Sequence, residues 1–362
     1  MSIRFLNYHS SILLVFLSLS LSAQNLINTY DFANLPQSLL SNPSYDVSSD
    51  LFITVPVTGN QLVVGSSGIE LYDVFADNTI PIEQKLKEAI YEMSVKDAFL
   101  FNQKNELIHI GYKLDRKTFL SFGFYEELDF YSNFPKSMSE LFYEGTTQVS
   151  KRYTIDNYAF QADMLGVFHV GIQKHIDDSW NIGARLKLYS GVFNAKSSNN
   201  SGYVYTDLGA DNVYRHGLST VDVNLQTSGV IYDDYDFVSS SYILKKLALS
   251  GNKGLGIDLG FTYYHDYNLT VSGSITDLGV LFNTHDVQTF QVLGNFQTEG
   301  IGLEFDPDNP VDYWENLEDD FNQSVDYSED ENNYISWRPI QLNTFAKYSF
   351  EKICRLQLSW RS

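Results

Sequence analysis

The chain has one cysteine, Cys354, in 362 residues. A single thiol forms no internal disulfide and no cysteine-based zinc site. Prolines number only 8, which leaves long stretches free to run as uninterrupted strands. Basic residues are scarce as well: 24 Lys and Arg face 45 Asp and Glu, for a formal net charge of -21. That balance excludes nucleic acid as a partner, because phosphates require a basic surface. Beyond Gln24 there is no long uncharged apolar run, so no transmembrane helix is expected. Several catalytic and ligand signatures are missing too. There is no Gly-x-Ser-x-Gly elbow, no His-Glu-x-x-His pair and no EF-hand spacing. Gly254-Leu255-Gly256 leads into a strand pattern rather than the helix that a phosphate loop needs. No catalytic residue, cofactor or metal site is expected, and the chain is not expected to be an enzyme.

What the sequence does have is aromatic rings, 25 Tyr and 25 Phe among them, and a mean hydropathy of only -0.20. It also has an N-terminus of three parts. Met1 to Asn7 carries Arg4 and no acid, Ile12 to Leu21 is apolar apart from serines, and Ser22-Ala23-Gln24 offers small residues for cleavage. This is the layout of a secretory signal peptide, expected over 1–23, and the apolar run is too short to span a bilayer. A secreted chain without a spanning helix is either soluble or a barrel. In a barrel the polar lumen side offsets the apolar lipid side, so overall hydropathy stays low.

Alternation runs through the rest of the chain. In Gly254 to Tyr264, Leu255, Ile257, Leu259, Phe261 and Tyr263 share one face, while Gly256, Asp258, Gly260 and Thr262 share the other. After His265-Asp266-Tyr267 the pattern resumes, with Thr270, Ser272, Ser274 and Thr276 opposite Leu269, Val271 and Ile275. A two-residue period marks strands with unlike environments on their two faces. About ten residues is the length of a membrane-spanning strand. Similar pairs are expected over Glu106–Leu114 with Thr118–Glu126, over Phe168–Ile172 with Ile182–Leu188, and over Pro339–Phe350 with Arg355–Trp360. Shorter strands are expected over Leu51–Val57 and Gln61–Val64. Pro81–Met93 carries apolar residues at helical spacing, and Val311, Trp314, Leu317 and Phe321 repeat that spacing after Asn309-Pro310. Tight turns near 115, 177 and 266 contrast with long polar stretches at Lys196–Gly217, Tyr232–Gly254 and the strongly acidic Asp306–Asn333. Short turns at one end and long loops at the other are the barrel arrangement.

The expected fold is therefore all-β: an antiparallel transmembrane barrel of roughly 10–14 strands by this alternation, with short loop or plug helices. An irregular segment over 24–50, tucked into the lumen, precedes a barrel over 51–362. A soluble sandwich with a polar outer face satisfies the same alternation. Arg185, Lys187 and His169 fall on polar strand faces, where charge at membrane depth is tolerable only toward an aqueous lumen. Asp258 and Asp277 each precede Leu-Gly, and two readings stand: a lumen constriction or ion site, or a hydrogen-bonded pair that fixes strand curvature. Trp314 and Phe321 are candidate anchors for a partner protein. Calcium binding by the acidic loop is the weaker alternative to a solvated loop.

Leu35-Pro36-Gln37, Asn42-Pro43-Ser44, Pro56-Val57, the Gly68–Asp73 region, and above all Gly254-Leu255-Gly256-Ile257-Asp258-Leu259-Gly260 with Ile275-Thr276-Asp277-Leu278-Gly279 carry a resemblance. From about Leu26 onward the chain resembles Bacteroidota outer-membrane barrels of unknown function. These are distantly similar to FadL-like transporters and to the PorP/SprF barrels of type IX secretion. Two departures stand out. Asn-Pro-Ser replaces that group's Asn-Pro-Ala, and its members continue with further strands beyond the region of Pro339, which implies a C-terminal truncation here. The resemblance implies an outer-membrane location after secretion to the periplasm, with membrane lipid as surroundings. It assigns no cargo. The expected role is passage of a small molecule through the lumen; the alternative is a scaffold that binds secretion or surface proteins through its long loops.

Overall fold

The computed structural model describes residues 35–56, 59–209, 214–229, 240–265, 268–299 and 313–349, and the backbone of 355–361. The expected leader, the Asn309-Pro310 cap and Asp266-Tyr267 lie outside the described residues. The architecture is a single antiparallel sheet of sixteen strands, with no described helix long and apolar enough to cross a membrane. The main path of the sheet runs β1 (Leu51–Thr54), β3 (Ala98–Lys113), β4 (Thr118–Asn133), β6 (Ala159–His175), β7 (Trp180–Ser197), β10 (Asn252–Tyr264), β11 (Leu269–Asn283), β15 (Gln341–Ser349) and β16 (Arg355–Arg361). β2 (Asn60–Ser66) continues past β1 along the same edge of β3, and β14 (Tyr334–Trp337) does the same for β15 along β11. Among the described residues no ladder joins β16 back to β1 or β2.

The strand count exceeds the expected 10–14 because strands also form where alternation had not marked them. The long polar stretch at Lys196–Gly217 is not a loop. It forms β8 (Ser201–Leu208) and the start of β9 (Tyr214–Gly229), which pair with each other. With β5 (Arg152–Thr154), β12 (Val287–Thr298) and β13 (Val325–Asp330) they extend the sheet beyond the upper end of β7. Polar side chains had masked ladders that need only backbone groups.

The two ends of the wall differ as expected. One end has tight turns closed by aspartates. Asp115 Oδ1 accepts from the amides of Lys117 (2.7 Å) and Thr118 (2.9 Å), and Asp177 Oδ1 does the same for Ser179 and Trp180 (both 2.8 Å). This is the local competition that makes Asp a turn residue. The other end carries α2 (Leu71–Phe75), α3 (Ile82–Glu92), α4 (Lys136–Glu144), α5 (Ser240–Lys245) and α6 (Tyr313–Ser324). α3 and α6 occupy the two stretches whose apolar residues repeat at helical spacing. At this end Glu144 accepts from Lys151 Nζ (2.8 Å) and the Tyr153 hydroxyl (2.7 Å). Burial alone would raise the Glu144 carboxyl, but these bonds outweigh it and hold it below its usual range, while burial and Glu144 push Tyr153 up to about 12.

Side chains sort across the wall by charge. On β7, Leu186 is 65% exposed while its neighbours Arg185 and Lys187 are 1% and 2% exposed. Leu255, Leu259 and Phe261 on β10 are exposed, whereas Asp258 and Thr262 are buried. The sheet curls until distant strands meet across its concave side. Lys104 on β3 lies 3.3 Å from Asp277 on β11, five ladders away. In a flat sheet five ladders at about 4.8 Å would separate those strands by about 24 Å, far beyond the reach of the two side chains.

Inside, a small apolar cluster of Leu40, Tyr125, Leu165, Val167, Tyr189 and Leu281 fills the middle. The glycines of Gly254-Leu255-Gly256 and Leu278-Gly279 explain how the Tyr189 ring fits. A Cβ on Gly256 would lie 2.3 Å from the Tyr189 hydroxyl, and one on Gly279 2.8 Å from its ring. Only a bare backbone lets the ring lie flat on the wall. Gly256→Ala is therefore expected to destabilise the protein by about 1–3 kcal/mol, measured as a lower midpoint in equilibrium urea unfolding. Gly65→Ala, whose added Cβ meets nothing within 4 Å, is expected to leave the midpoint unchanged.

Candidate functional site

Two constructions occupy the concave side. The first is a chain of ion pairs. Arg185 pairs with Asp258 (3.1 Å), Lys187 bridges Asp258 (2.9 Å) and Asp277 (2.6 Å), and Lys104 bridges Asp277 (3.3 Å) and Glu127 (3.4 Å). Arg338, just before β15, reaches Glu127 (3.3 Å), Asp129 (3.3 Å) and Asp163 (2.7 Å). Four cations and five carboxylates thus form one connected network, and every member is buried. Neutral side chains supply further donors: Asn102 donates to Glu127 (2.8 Å) and Asp129 (3.1 Å), and Asn194 donates to Asp163 (2.7 Å). Such satisfaction is what makes buried charge tolerable.

Asp258 and Asp277 are also joined through the backbone. The register slips between Ile257 and Leu259, where Asp277 adopts φ +61°. Its amide donates to Asp258 Oδ1 at 2.8 Å. The bulge lets Asp277 point inward next to Thr276, which is also buried, and aspartate is among the residues that tolerate this backbone region.

The second construction is a strap formed by residues 35–48, which includes the single turn α1 (Ser38–Ser41). The wall holds it mainly through its carbonyls. Arg185 donates to Leu39 O, Ser274 Oγ to Ser41 O (2.6 Å) and Asn181 Nδ2 to Ser44 O (2.7 Å). At the strap's beginning Gln37 Nε2 donates to Glu106 (3.1 Å), whose other oxygen meets His109 Nδ1 at 2.8 Å. Asn42-Pro43-Ser44 sits in a notch made by Gly183 and Gly260, which face each other across the β7–β10 ladder. A Cβ on Gly183 would lie 2.1 Å from the Pro43 carbonyl, and one on Gly260 2.1 Å from Asn42 Oδ1. Asn42 folds the strap back on itself, its Oδ1 accepting from the Ser44 amide (2.9 Å) and hydroxyl (2.7 Å).

The structure thus brings Arg185, Lys187, Asp258, Asp277, Asn42 and Pro43 into one interior. His169 is also buried there, its ring 5.0 Å from that of His109. Phe321 lies elsewhere, on α6 at the long-loop end, its ring packed edge-on at 5.2 Å against Phe296. Trp314 belongs to the same helix; its side chain lies outside the described residues. The reading by alternation missed Lys104, Glu127, Asp129, Asp163 and Arg338. Acids read as strand ends, so β4 appeared to stop at Glu126, whereas Tyr125, Glu127 and Asp129 continue its inward face. The available signal was Leu128 and Phe130 keeping the alternation on the outward face. Among the described residues no cluster of three or more His, Cys, Asp and Glu is placed to hold a metal ion.

The model of a family of unknown function (DUF5723) matches residues 43–362, and the chain belongs to that family. No curated protein matches it. The matched span opens at Pro43, within the strap motif that the glycine notch receives.

Truncating a buried charge leaves its partners unpaired. Arg338→Ala is expected to cost about 3–5 kcal/mol in urea unfolding. The double variant with Asp163→Asn is expected to be less destabilised than the sum of the single changes, because the two groups share one bond. The notch has its own readout. Ser41→Cys in a Cys354→Ser background is expected to resist maleimide labelling, and adding Gly183→Val is expected to expose it. Labelling at equal rates with and without Gly183→Val would show that the notch does not seat the strap.

Proposed function

We propose that this protein is an outer-membrane β-barrel whose lumen is occluded by its own strap and ion network, and that it acts as a scaffold presenting its long-loop end to partner proteins. One observation carries the membrane part: the chain is inverted relative to a water-soluble protein. Leu186, Leu255, Val170 and Trp337 are each more than half exposed on the convex face, while nine charged groups are paired on the concave face. A water-soluble monomer rarely exposes a contiguous apolar patch beyond a few hundred Å², and lipid is the solvent that suits such a surface. Trp180 and Tyr263, rings 4.7 Å apart, lie with exposed Tyr112 and Tyr348 toward the tight-turn end, where amphipathic rings favour a membrane interface. The leader read from the N-terminus agrees with secretion.

The filled interior favours a scaffold over an open channel. The long-loop end also has preformed surfaces, since β5, β8, β9, β12 and β13 continue the sheet beyond β7 and α6 stands beside them. A second reading, passage of a small molecule, has one feature in its favour: among the described residues no ladder joins the strap to the wall, so its withdrawal would break hydrogen bonds without unpairing a strand.

Leu186→Arg separates membrane from water. In a bilayer it is expected to lower folding stability by about 2–4 kcal/mol; at a solvent-exposed site it would change stability by less than about 0.5 kcal/mol. The measurement is urea-dependent folding into lipid vesicles beside the same titration in buffer. Planar-bilayer recordings then divide the two roles. Absence of stable conductance in the wild type is expected for the scaffold, and steady unitary currents would establish a channel instead.

A further inference from the structure

Beyond β7 the extension of the sheet runs β5-β8-β9-β12-β13. Its first edge is covered: the Thr154 amide on β5 donates to Ser137 Oγ of α4 at 2.7 Å. Its last edge is open. Among the described residues β13 (Val325–Asp330) pairs only with β12, in register from Thr289↔Asp330 to Gly294↔Val325. Every residue from Asp326 to Asp330 is exposed, so the strand is not packed over. An unpaired row of N–H and C=O groups along a strand is a template for a further strand. The side chains of β13 state what that strand must carry. Asp326, Ser328 and Asp330 share one face, and Val325, Tyr327 and Glu329 share the other. Tyr327 is 56% exposed and stacks on Phe290 of β12, ring centroids 6.3 Å apart. Asp326, Glu329 and Asp330 meet no cation among the described residues. A second copy of β13 laid against the first would set these acids beside one another, and like charges on neighbouring strands destabilise a pair. The acids thus guard the edge against self-pairing and leave it open to the opposite charge.

We infer that β13 is a docking edge for an extended basic segment of a partner protein, which adds to the sheet as a further strand. Backbone groups supply the ladder. Lys or Arg side chains of the partner meet Asp326 and Asp330 on one face, and an apolar side chain lies beside Tyr327 on the other. This rests on the scaffold reading and names the chemistry of the partner that the long-loop end would take.

The test is fluorescence anisotropy of the full chain in a neutral detergent, with a dye-labelled peptide of sequence Lys-Val-Lys-Phe-Lys-Val-Lys as the probe. Binding is expected. The same peptide methylated at every amide nitrogen keeps its charge but cannot form a ladder, and is expected to bind roughly tenfold more weakly or less. The peptide with Glu in place of Lys is expected not to bind. Asp326→Lys combined with Asp330→Lys is expected to reverse that order, weakening the basic peptide roughly tenfold and admitting the acidic one. Both sites are exposed, so the double variant is expected to keep an unfolding midpoint near that of the wild type. Sedimentation is expected to show a monomer throughout. No binding of the basic peptide, equal binding of its methylated form, or indifference to the double charge reversal would each overturn the docking edge. Self-association that the basic peptide displaces would overturn it too, by making a second copy the occupant. Planar-bilayer recordings on the same preparation keep the two claims apart. Steady currents would overturn the scaffold reading itself, whereas failure of the peptide on a silent protein overturns only the edge.

Discussion

Lys104 and Arg338 tie opposite sides of the wall together through carboxylates, and the shape of the molecule follows from that. A curled sheet with a polar interior has no apolar core of ordinary size to hold its curvature. Here the central apolar cluster is small, and the inward surface is otherwise largely charged or hydroxylated. Transverse ion pairs from β3 to β11, and from Arg338 between β14 and β15 to β4 and β6, do the work that packed hydrocarbon does elsewhere. Moving an ion from water into a protein interior costs several kcal/mol. Such a network persists because each charge meets an opposite one and amides such as Asn102 and Asn194 add further donors to the carboxylates.

The strap depends on the same groups. Arg185 holds Asp258 and also donates to Leu39 O, so one guanidinium serves both network and strap. Glu106 likewise receives Gln37 from the strap and His109 from the wall. Removal of the strap would leave these donors and acceptors buried without partners, a penalty larger than the net worth of the bonds themselves. Strap and network therefore form one cooperative unit that occupies the concave side of the sheet.

Glycine sets where these parts touch. At Gly183 and Gly260 the wall is thinned to admit Asn42-Pro43-Ser44, and at Gly256 and Gly279 it is thinned to admit the Tyr189 ring. Both notches lie on β7, β10 and β11, the strands that also carry Arg185, Lys187, Asp258 and Asp277. One stretch of wall thus combines curvature, charge and close approach. This is why the motif from Gly254 to Gly279 stands out in the sequence.

The alternation of Leu255, Leu259 and Phe261 against Asp258 and Thr262 was enough to assign strands, faces and hairpins, because a two-residue period is local and survives any tertiary arrangement. The turn aspartates Asp115 and Asp177 were legible for the same reason. Sequence also placed Arg185, Lys187, His169 and Asp258 on the polar face; strict alternation put Asp277 on the side of Ile275, and the register slip is what turns it inward. It did not reveal that Lys104 meets Asp277 across the interior, that Arg338 gathers three carboxylates, or that Gly183 and Gly260 open opposite each other for the strap. Those contacts join positions far apart in the chain. Which positions meet depends on how far the sheet curls and on the slip at Asp277, quantities set by the sum of all ladders rather than by any one of them. The sequence by itself determined strands and their two unlike faces; only the tertiary structure decided that the sheet curls until its polar face meets itself across a filled interior, because that curl is a property of all the ladders together and not of any one strand.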